Sequence, residues 1–131
     1  MAFKSFENPI IIRQKTCDQI SVRERLISLG VAFCKKYDIA KHTHMLLFYD
    51  RDKDRMALRP INTDDYDAVK IHIVKEGKTH GHITCSVQCT KFLCWCGLKG
   101  DDIGILEMHF DKNLDLIVSE SLGKLRENKN V

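Results

Sequence analysis

The sequence has little that would place the protein in a membrane or outside the cell. It contains only two prolines and one tryptophan in 131 residues, and no apolar run approaches the roughly 20 residues that a membrane-spanning helix needs. The opening residues Met1–Asn8 lack the apolar core and the small-residue cleavage site of a signal peptide. We therefore expect a cytoplasmic protein that does not bind a membrane.

Recognisable catalytic arrangements are also missing. None of the cysteines lies in a turn that resembles a nucleophile elbow, and the seven glycines are scattered rather than gathered in a phosphate-binding loop. Asp50, Asp52 and Asp54 alternate as at the start of a calcium loop. Arg55 and Ile61, however, stand where such a loop needs glycine and glutamate. The sequence therefore predicts a protein that is not an enzyme and needs no cofactor.

The composition is that of an ordinary globular protein. Hydrophobic residues make up 44% of the chain and charged residues 30%, with a net charge of +3. A chain of this length can bury one core without disulfide bonds. We expect a single domain over residues 1–131.

Apolar residues recur at matching positions in the two halves of the chain. When residues 26–39 are laid over residues 85–98, Phe33 falls on Phe92 and Ile39 on Leu98. Two apolar stretches joined by an Asp-containing turn follow each segment, and the second turn reads as three residues shorter. A repeat of this length suits a duplicated small unit. We expect two half-repeats, at about 10–60 and 68–118.

The pattern predicts the secondary structure of each half as a strand, a helix, and two strands joined by a turn. We expect the helices at about 26–37 and 85–96, and a partly frayed tail over 119–131. The predicted fold is α+β, a mostly antiparallel sheet or small barrel with one short helix per copy. The residues expected in its core are Leu26, Phe33, Ile39, Leu47, Tyr49, Leu58, Phe92, Leu98, Ile105, Phe110 and Leu116.

Six cysteines leave two interpretations open. Cys85, Cys89 and Cys96 share one stripe of the predicted second helix with Phe92, which favours small buried hydrophobic residues. The alternative is a zinc site that combines some of them with Cys94, His80 or His82. The Cys-x-Cys spacing is wrong for a standard zinc knuckle within a helix, and His42 with His44 has no third ligand near in sequence. We therefore expect no metal.

Basic residues lie in or beside the predicted strands of both halves. A Lys/Arg set on an exposed β-surface can bind phosphates, and arginine can also read guanine in the major groove. The alternative is a solvated polar face with no ligand. The candidate nucleic-acid-binding residues are Arg13, Lys15, Arg23, Arg25, Lys70, Lys75 and Lys78.

Two short motifs resemble a family. Residues 97–101 read Gly-Leu-Lys-Gly-Asp after the predicted helix, and residues 57–60, which close the first half, read Ala-Leu-Arg-Pro. This order resembles the AbrB-type swapped-hairpin proteins, which are prokaryotic transcriptional regulators and related antitoxins. Residues 37–42 of the first half lack both glycines. The resemblance implies a barrel that two chains usually form together and that a tandem chain could form within itself.

These observations favour a small, non-enzymatic nucleic-acid-binding protein. The sequence predicts a DNA-binding transcriptional regulator of prokaryotic or viral origin, with double-stranded DNA as its partner and a homodimer as a further possibility. The alternative is a protein-interaction module of a phage or mobile element that binds and inhibits a host complex.

Overall fold

Alternating apolar and polar residues produce short strands that close into a barrel. The computed structural model describes residues 18–63, 67–75 and 83–127. Its strands, all paired antiparallel, follow the order β1-β2-β6-β5-β3-β4-β8-β7 around the barrel. They are β1 (Gln19–Val22), β2 (Leu26–Leu29), β3 (His44–Asp50), β4 (Arg55–Ile61), β5 (Ala68–Lys75), β6 (Ile83–Gln88), β7 (Gly104–Asp111) and β8 (Leu116–Ser119).

The described helices are short and lie outside the sheet. They are α1 (Val31–Lys36), a 3-10 helix (Ile39–Lys41), α2 (Thr90–Trp95) and α3 (Gly123–Glu127). None of the helices in the described ranges is long and apolar enough to cross a membrane. The prediction of an α+β, mostly antiparallel barrel is thus confirmed at this level.

The strand pairings relate the two halves by an approximate two-fold axis. The β1–β7 ladder in the barrel corresponds to the β5–β3 ladder. The pair Gln19↔Glu107 in the first ladder is equivalent to the pair Ala68↔Leu46 in the second. β2 pairs with its counterpart β6, and β4 with its counterpart β8. The axis therefore passes between β2 and β6 on one side of the barrel and between β4 and β8 on the other. An origin by duplication stays a prediction.

The two predicted helices begin later than the sequence indicated. Residues 26–29 and 83–88 are strands, and only Val31–Lys36 and Thr90–Trp95 are helical in these stretches. In β2, Ile27 and Leu29 are fully buried while their neighbours are partly exposed, which is the two-residue period of a strand. α2 ends at Trp95, and Gly97, two residues later, has a φ of 78° and terminates the helix in the left-handed conformation that glycine favours.

The two Asp-containing turns are equal in length, which corrects the expectation of a shorter second turn. Each connects an aspartate that ends one strand to a second aspartate just before the next strand: Asp50 to Asp54, and Asp111 to Asp115. Asp54 and Asp115 both have left-handed backbones, with φ of 51° and 55°. Aspartate tolerates this conformation better than most residues.

The core follows the inward positions of the strands. Of the predicted core residues, the fully buried ones are Phe33, Ile39, Leu58 and Leu98, and the partly buried ones are Leu26, Leu47, Tyr49, Phe92 and Leu116. The prediction was wrong for Ile105 and Phe110, which are 40% and 45% exposed. Leu106 and Met108 take the inward positions of β7, so Ile105 faces out, and Phe110 lies beyond the last residue that pairs with β1.

The tail contributes α3, which is fixed to the barrel by both apolar and charged contacts. Leu122 and Leu125 are fully buried. Arg126 donates from Nη1 to Asp54 Oδ2 at 2.5 Å and from Nη2 to Asp54 Oδ1 at 3.1 Å. Nη2 also donates to the carbonyl oxygen of Cys96 at 2.6 Å. Residues 128–131 lie outside the described ranges.

The Asp54 carboxylate is the centre of this contact. Tyr49 donates its hydroxyl to Asp54 Oδ1 at 2.7 Å. The hydrogen bond from Arg126 holds the pKa of Asp54 below its ordinary value. The same carboxylate raises the pKa of Tyr49, mainly by accepting its hydrogen bond, and raises the pKa of Arg126. The ionised Asp54 therefore stabilises the docked α3.

Replacing Arg126 by Gln should lower the free energy of unfolding by about 1–2 kcal/mol at about pH 7, because Asp54 loses two charge-assisted hydrogen bonds at a partly exposed site. The Asp54 contribution is complete above its ordinary pKa of 3.8 and is lost as pH falls through the lower value in the folded protein. The difference between wild type and Arg126→Gln should therefore shrink in acid. Urea unfolding at about pH 7 and about pH 3 measures both.

Lys124→Gln is the matched control, because Lys124 lies on the same helix and its ion pair with Glu120, at 3.3 Å, is more exposed. It should change stability by less than about 1 kcal/mol at either pH. An equal loss from both substitutions, or a loss that does not depend on pH, would contradict the role given to Asp54.

Candidate nucleic-acid interface

The outer surface of β1, β2, β6 and β5 is polar and carries positive charge. Along these strands Ile20, Ile27, Ile71, Cys85 and Val87 are buried and point inward, so the intervening positions, which include Leu26 and the exposed Val74, form the outer surface. None of these four strands contains an Asp or Glu. We call this surface the β2–β6 face. Its residues are Ser21, Arg23, Leu26, Ser28, Lys70, His72, Ser86 and Gln88.

Two rows of side chains cross the β2–β6 face. In the first, His72 stands opposite Ser86, Ser86 opposite Ser28, and Ser28 opposite Ser21. This row is a line of three serines that ends in an imidazole, and because Ser21 is buried, the accessible hydroxyls are those of Ser28 and Ser86. Such groups can donate hydrogen bonds to phosphate oxygens.

The second row carries a cation at each end. Gln88 pairs with Leu26, and the Arg23 amide donates to the Leu26 carbonyl at 2.8 Å. Lys70 precedes Ile71, the partner of Val87, and so lies beside Gln88. Lys70 and Arg23 are therefore separated by three strand spacings, or about 14 Å.

The turn between β1 and β2 adds a further cation. Arg23 and Arg25 are both exposed, and the Arg25 carbonyl accepts a hydrogen bond from the Cys89 amide at 3.0 Å. Glu24 lies between them, but its side chain is packed against the loop after α2, where a Cβ at Gly100 would be 3.3 Å from Glu24 Cγ. The turn therefore presents two guanidinium groups and one carboxylate to solvent, with the carboxylate on the side of the loop after α2.

The structure brings together three of the residues that the sequence singled out. Arg23, Arg25 and Lys70 share the β2–β6 face and its rim. Lys75 ends β5, but its side chain lies outside the described residues, as do Arg13, Lys15 and Lys78.

Sequence reasoning missed the polar members of this face. His72 and the serines at 21, 28 and 86 meet only through the pairing of β1, β2, β6 and β5. The alternation of Val69, Ile71 and Ile73 with polar residues was a signal that His72 faces outward. No local signal showed which strands would lie beside it.

The described cysteines lie mainly in the core. Cys34, Cys85, Cys89 and Cys96 are buried, and Cys94 is exposed. Cys85 lies in β6, which corrects its expected place in a helix. Burial raises the pKa of Cys89 and of Cys96 to about 12. Among the described residues no group of three His, Cys, Asp or Glu could hold a metal ion, while His80 and His82 lie outside them.

Among these thiols, Cys94 should react first with iodoacetamide in the native protein, because it is exposed while Cys89 and Cys96 are held protonated by burial. Peptide mapping by mass spectrometry measures the order.

Cys89→Ala should lower the free energy of unfolding only slightly, since Gly30 occupies the equivalent place immediately before α1. Elemental analysis should find no zinc, and about one zinc per chain would contradict this interpretation of the cysteines.

Comparison with known proteins found no relative: the chain matches no protein-family model, no curated protein and no solved structure.

Proposed function

We propose that the protein is a small, non-enzymatic DNA-binding protein that contacts duplex DNA through the β2–β6 face and acts as a transcriptional regulator of prokaryotic or viral origin. The observation that carries the proposal is the concentration of Arg23, Arg25, Lys70 and His72 on one face, whose four strands contain no Asp or Glu, with Glu24 the one carboxylate in the turn that holds the two arginines. A phosphate backbone is attracted to such a surface because cations that neutralise phosphates release bound counterions.

The spacing of the two strands that carry cations supports duplex DNA as the ligand. The backbones of Arg23 and Lys70 are three strand spacings, or about 14 Å, apart, so their long side chains can span the roughly 12 Å width of the major groove. Two cations at this distance can contact phosphates on both sides of one groove. The hydroxyls of Ser28 and Ser86 lie between them and can donate to further phosphate oxygens.

The sequence resemblance to AbrB-type regulators is a second support. It rests on the residues that follow α2, Gly97–Asp101, and on those that end the first half, Ala57–Pro60. The family's members bind DNA with a barrel made from two copies of a unit. A single chain whose halves are related by a two-fold axis would present one such surface by itself.

Affinity for a random duplex should fall steeply with salt. Replacing both Arg23 and Lys70 by Ala should weaken binding at low salt. It should also reduce the slope of log K against log salt by about two, because two phosphate contacts are lost. Fluorescence anisotropy with a labelled duplex at several salt concentrations measures both quantities.

Arg51→Ala with Lys112→Ala is the matched control. These exposed cations lie in the β3–β4 and β7–β8 turns, so the same net charge is removed away from the proposed interface. The control should leave the slope unchanged. No measurable binding at low salt, or an equal loss in both double variants, would overturn the proposal.

A second candidate function is the docking of a host protein by a phage or mobile-element module. It is favoured by Trp95, which is 60% exposed and packs against Tyr49 and Phe92 with ring centroids 5.9 and 6.2 Å away. Exposed tryptophans supported by neighbouring rings are frequent binding hot spots. If the protein fails to bind DNA, Trp95→Ala is the first variant to compare in a pull-down from the native cell.

A further inference from the structure

The two-fold relation gives the barrel two equivalent grooves. The first, which we call the filled groove, contains Tyr49, Asp54 and Cys96 and receives α3. The second, which we call the open groove, is a cleft of about 250 Å³. Its apolar lining comes from Tyr37, Leu58, Pro60 and Phe110, and its charged groups are Arg59 and Asp115.

The groups of the two grooves correspond one to one. Asp115 takes the place of Asp54 at the end of an equal turn, with the same left-handed backbone. Phe110 precedes that turn as Tyr49 precedes the other. Tyr37 follows α1 as Cys96 follows α2. The open groove therefore offers a carboxylate, an aromatic ring and a helix end in the arrangement that binds α3.

The strands explain why only one groove receives its own chain. β8 ends at Ser119, after which the Leu122 amide donates to the Asp54 carbonyl at 2.7 Å and α3 begins. β4 instead continues to Ile61, which pairs with His44. The chain that follows β4 is thus held along β3 at the point where its counterpart turns into the groove.

The polar groups of the open groove indicate what would fit it. The Tyr37 hydroxyl is buried and has no hydrogen-bond partner among the described residues. The Asp115 side chain is 76% exposed, and Arg59 Nε lies 3.9 Å from its carboxylate. The Arg59 guanidinium donates instead to the carbonyl oxygens of Asp115 and Leu114, both at 3.0 Å. In the filled groove an arginine satisfies both the equivalent carboxylate and the carbonyl of Cys96.

The two grooves carry opposite charges at one further equivalent position. Glu120 of the filled groove pairs with Lys124 of α3 at 3.3 Å. Ala57 pairs with Val118 and is also its counterpart in the other half. Arg59, two residues after Ala57, is therefore the counterpart of Glu120, two residues after Val118. An occupant of the open groove therefore needs an acidic residue where α3 carries Lys124.

We propose that the open groove binds a short helical segment of a partner protein with the pattern Leu-x-Glu-Leu-Arg. Its two leucines would pack against Phe110 and Pro60, which line the groove and are at least partly exposed, as Leu122 and Leu125 pack in the filled groove. Its arginine meets Asp115 and its glutamate meets Arg59. This binding does not depend on the function proposed for the β2–β6 face.

A peptide tests the proposal on the full-length chain. The probe is Ser-Leu-Gly-Glu-Leu-Arg-Glu, labelled with fluorescein, which copies residues 121–127 with glutamate in place of Lys124. It should bind with shifts of the Phe110 and Asp115 amide resonances. The unchanged sequence, with lysine, should bind about fivefold more weakly, because its ammonium faces Arg59. Arg59→Glu should reverse this preference.

Three results would overturn the proposal. The first is no binding at about 1 mM peptide, a concentration that detects even weak complexes. The second is a set of resonance shifts at Asp54 instead of Asp115, which would mean that the peptide displaces α3. The third is equal affinity for a probe whose arginine is replaced by alanine. None of these readouts uses DNA, so a failure here is separate from a failure of the DNA-binding proposal.

Discussion

The pairing of β2 with β6 is the interaction on which the rest of the structure depends. It joins the two halves through Ile27↔Val87 and Leu29↔Cys85, and all four of these side chains are buried. A half of about 60 residues would be only marginally stable alone, because a chain of that size buries a smaller fraction of its surface than a larger domain does. Together with the β1–β7, β3–β5 and β4–β8 ladders, which also join the halves, the β2–β6 ladder buries their inward residues in one core and closes the barrel.

The same ladder also decides where the polar residues lie. Because side chains alternate along a strand, the inward set fixes the outward set, and Ser28 stands opposite Ser86 on the outer surface. On the other side of the axis, Ala57 and Val118 meet in the β4–β8 ladder and are almost fully buried. Phe48 lies beside Ala57 and is 37% exposed. One side of the barrel is therefore polar and cationic, and the opposite side combines apolar side chains with Arg55 and Arg59, the latter stacked over Phe48.

Local patterns in the sequence predicted most of the elements but not their relations. The alternation in residues 68–74 identified β5, and apolar stretches identified the two hairpins. Residues 26–37 were harder, because apolar residues at 26, 29 and 33 fit a helix as well as a strand followed by a helix. The burial of α3 was missed, although Leu122, Leu125 and Arg126 have helical spacing, because the tail was judged by its charge. The alignment of Arg23 and Lys70 in one row depends on the register of β1, β2, β6 and β5, and no local pattern in the sequence indicates it.

Mapping the surface that duplex DNA contacts is the most direct test of the relation between this architecture and function. Amide resonances of the isotope-labelled protein should be followed while a short duplex is added at low salt. Binding at the β2–β6 face predicts shifts at Arg23, Ser28, Lys70 and Ser86, with Ala57 and Val118 unchanged. Shifts centred on the β4–β8 ladder, or no shifts at all, would contradict it.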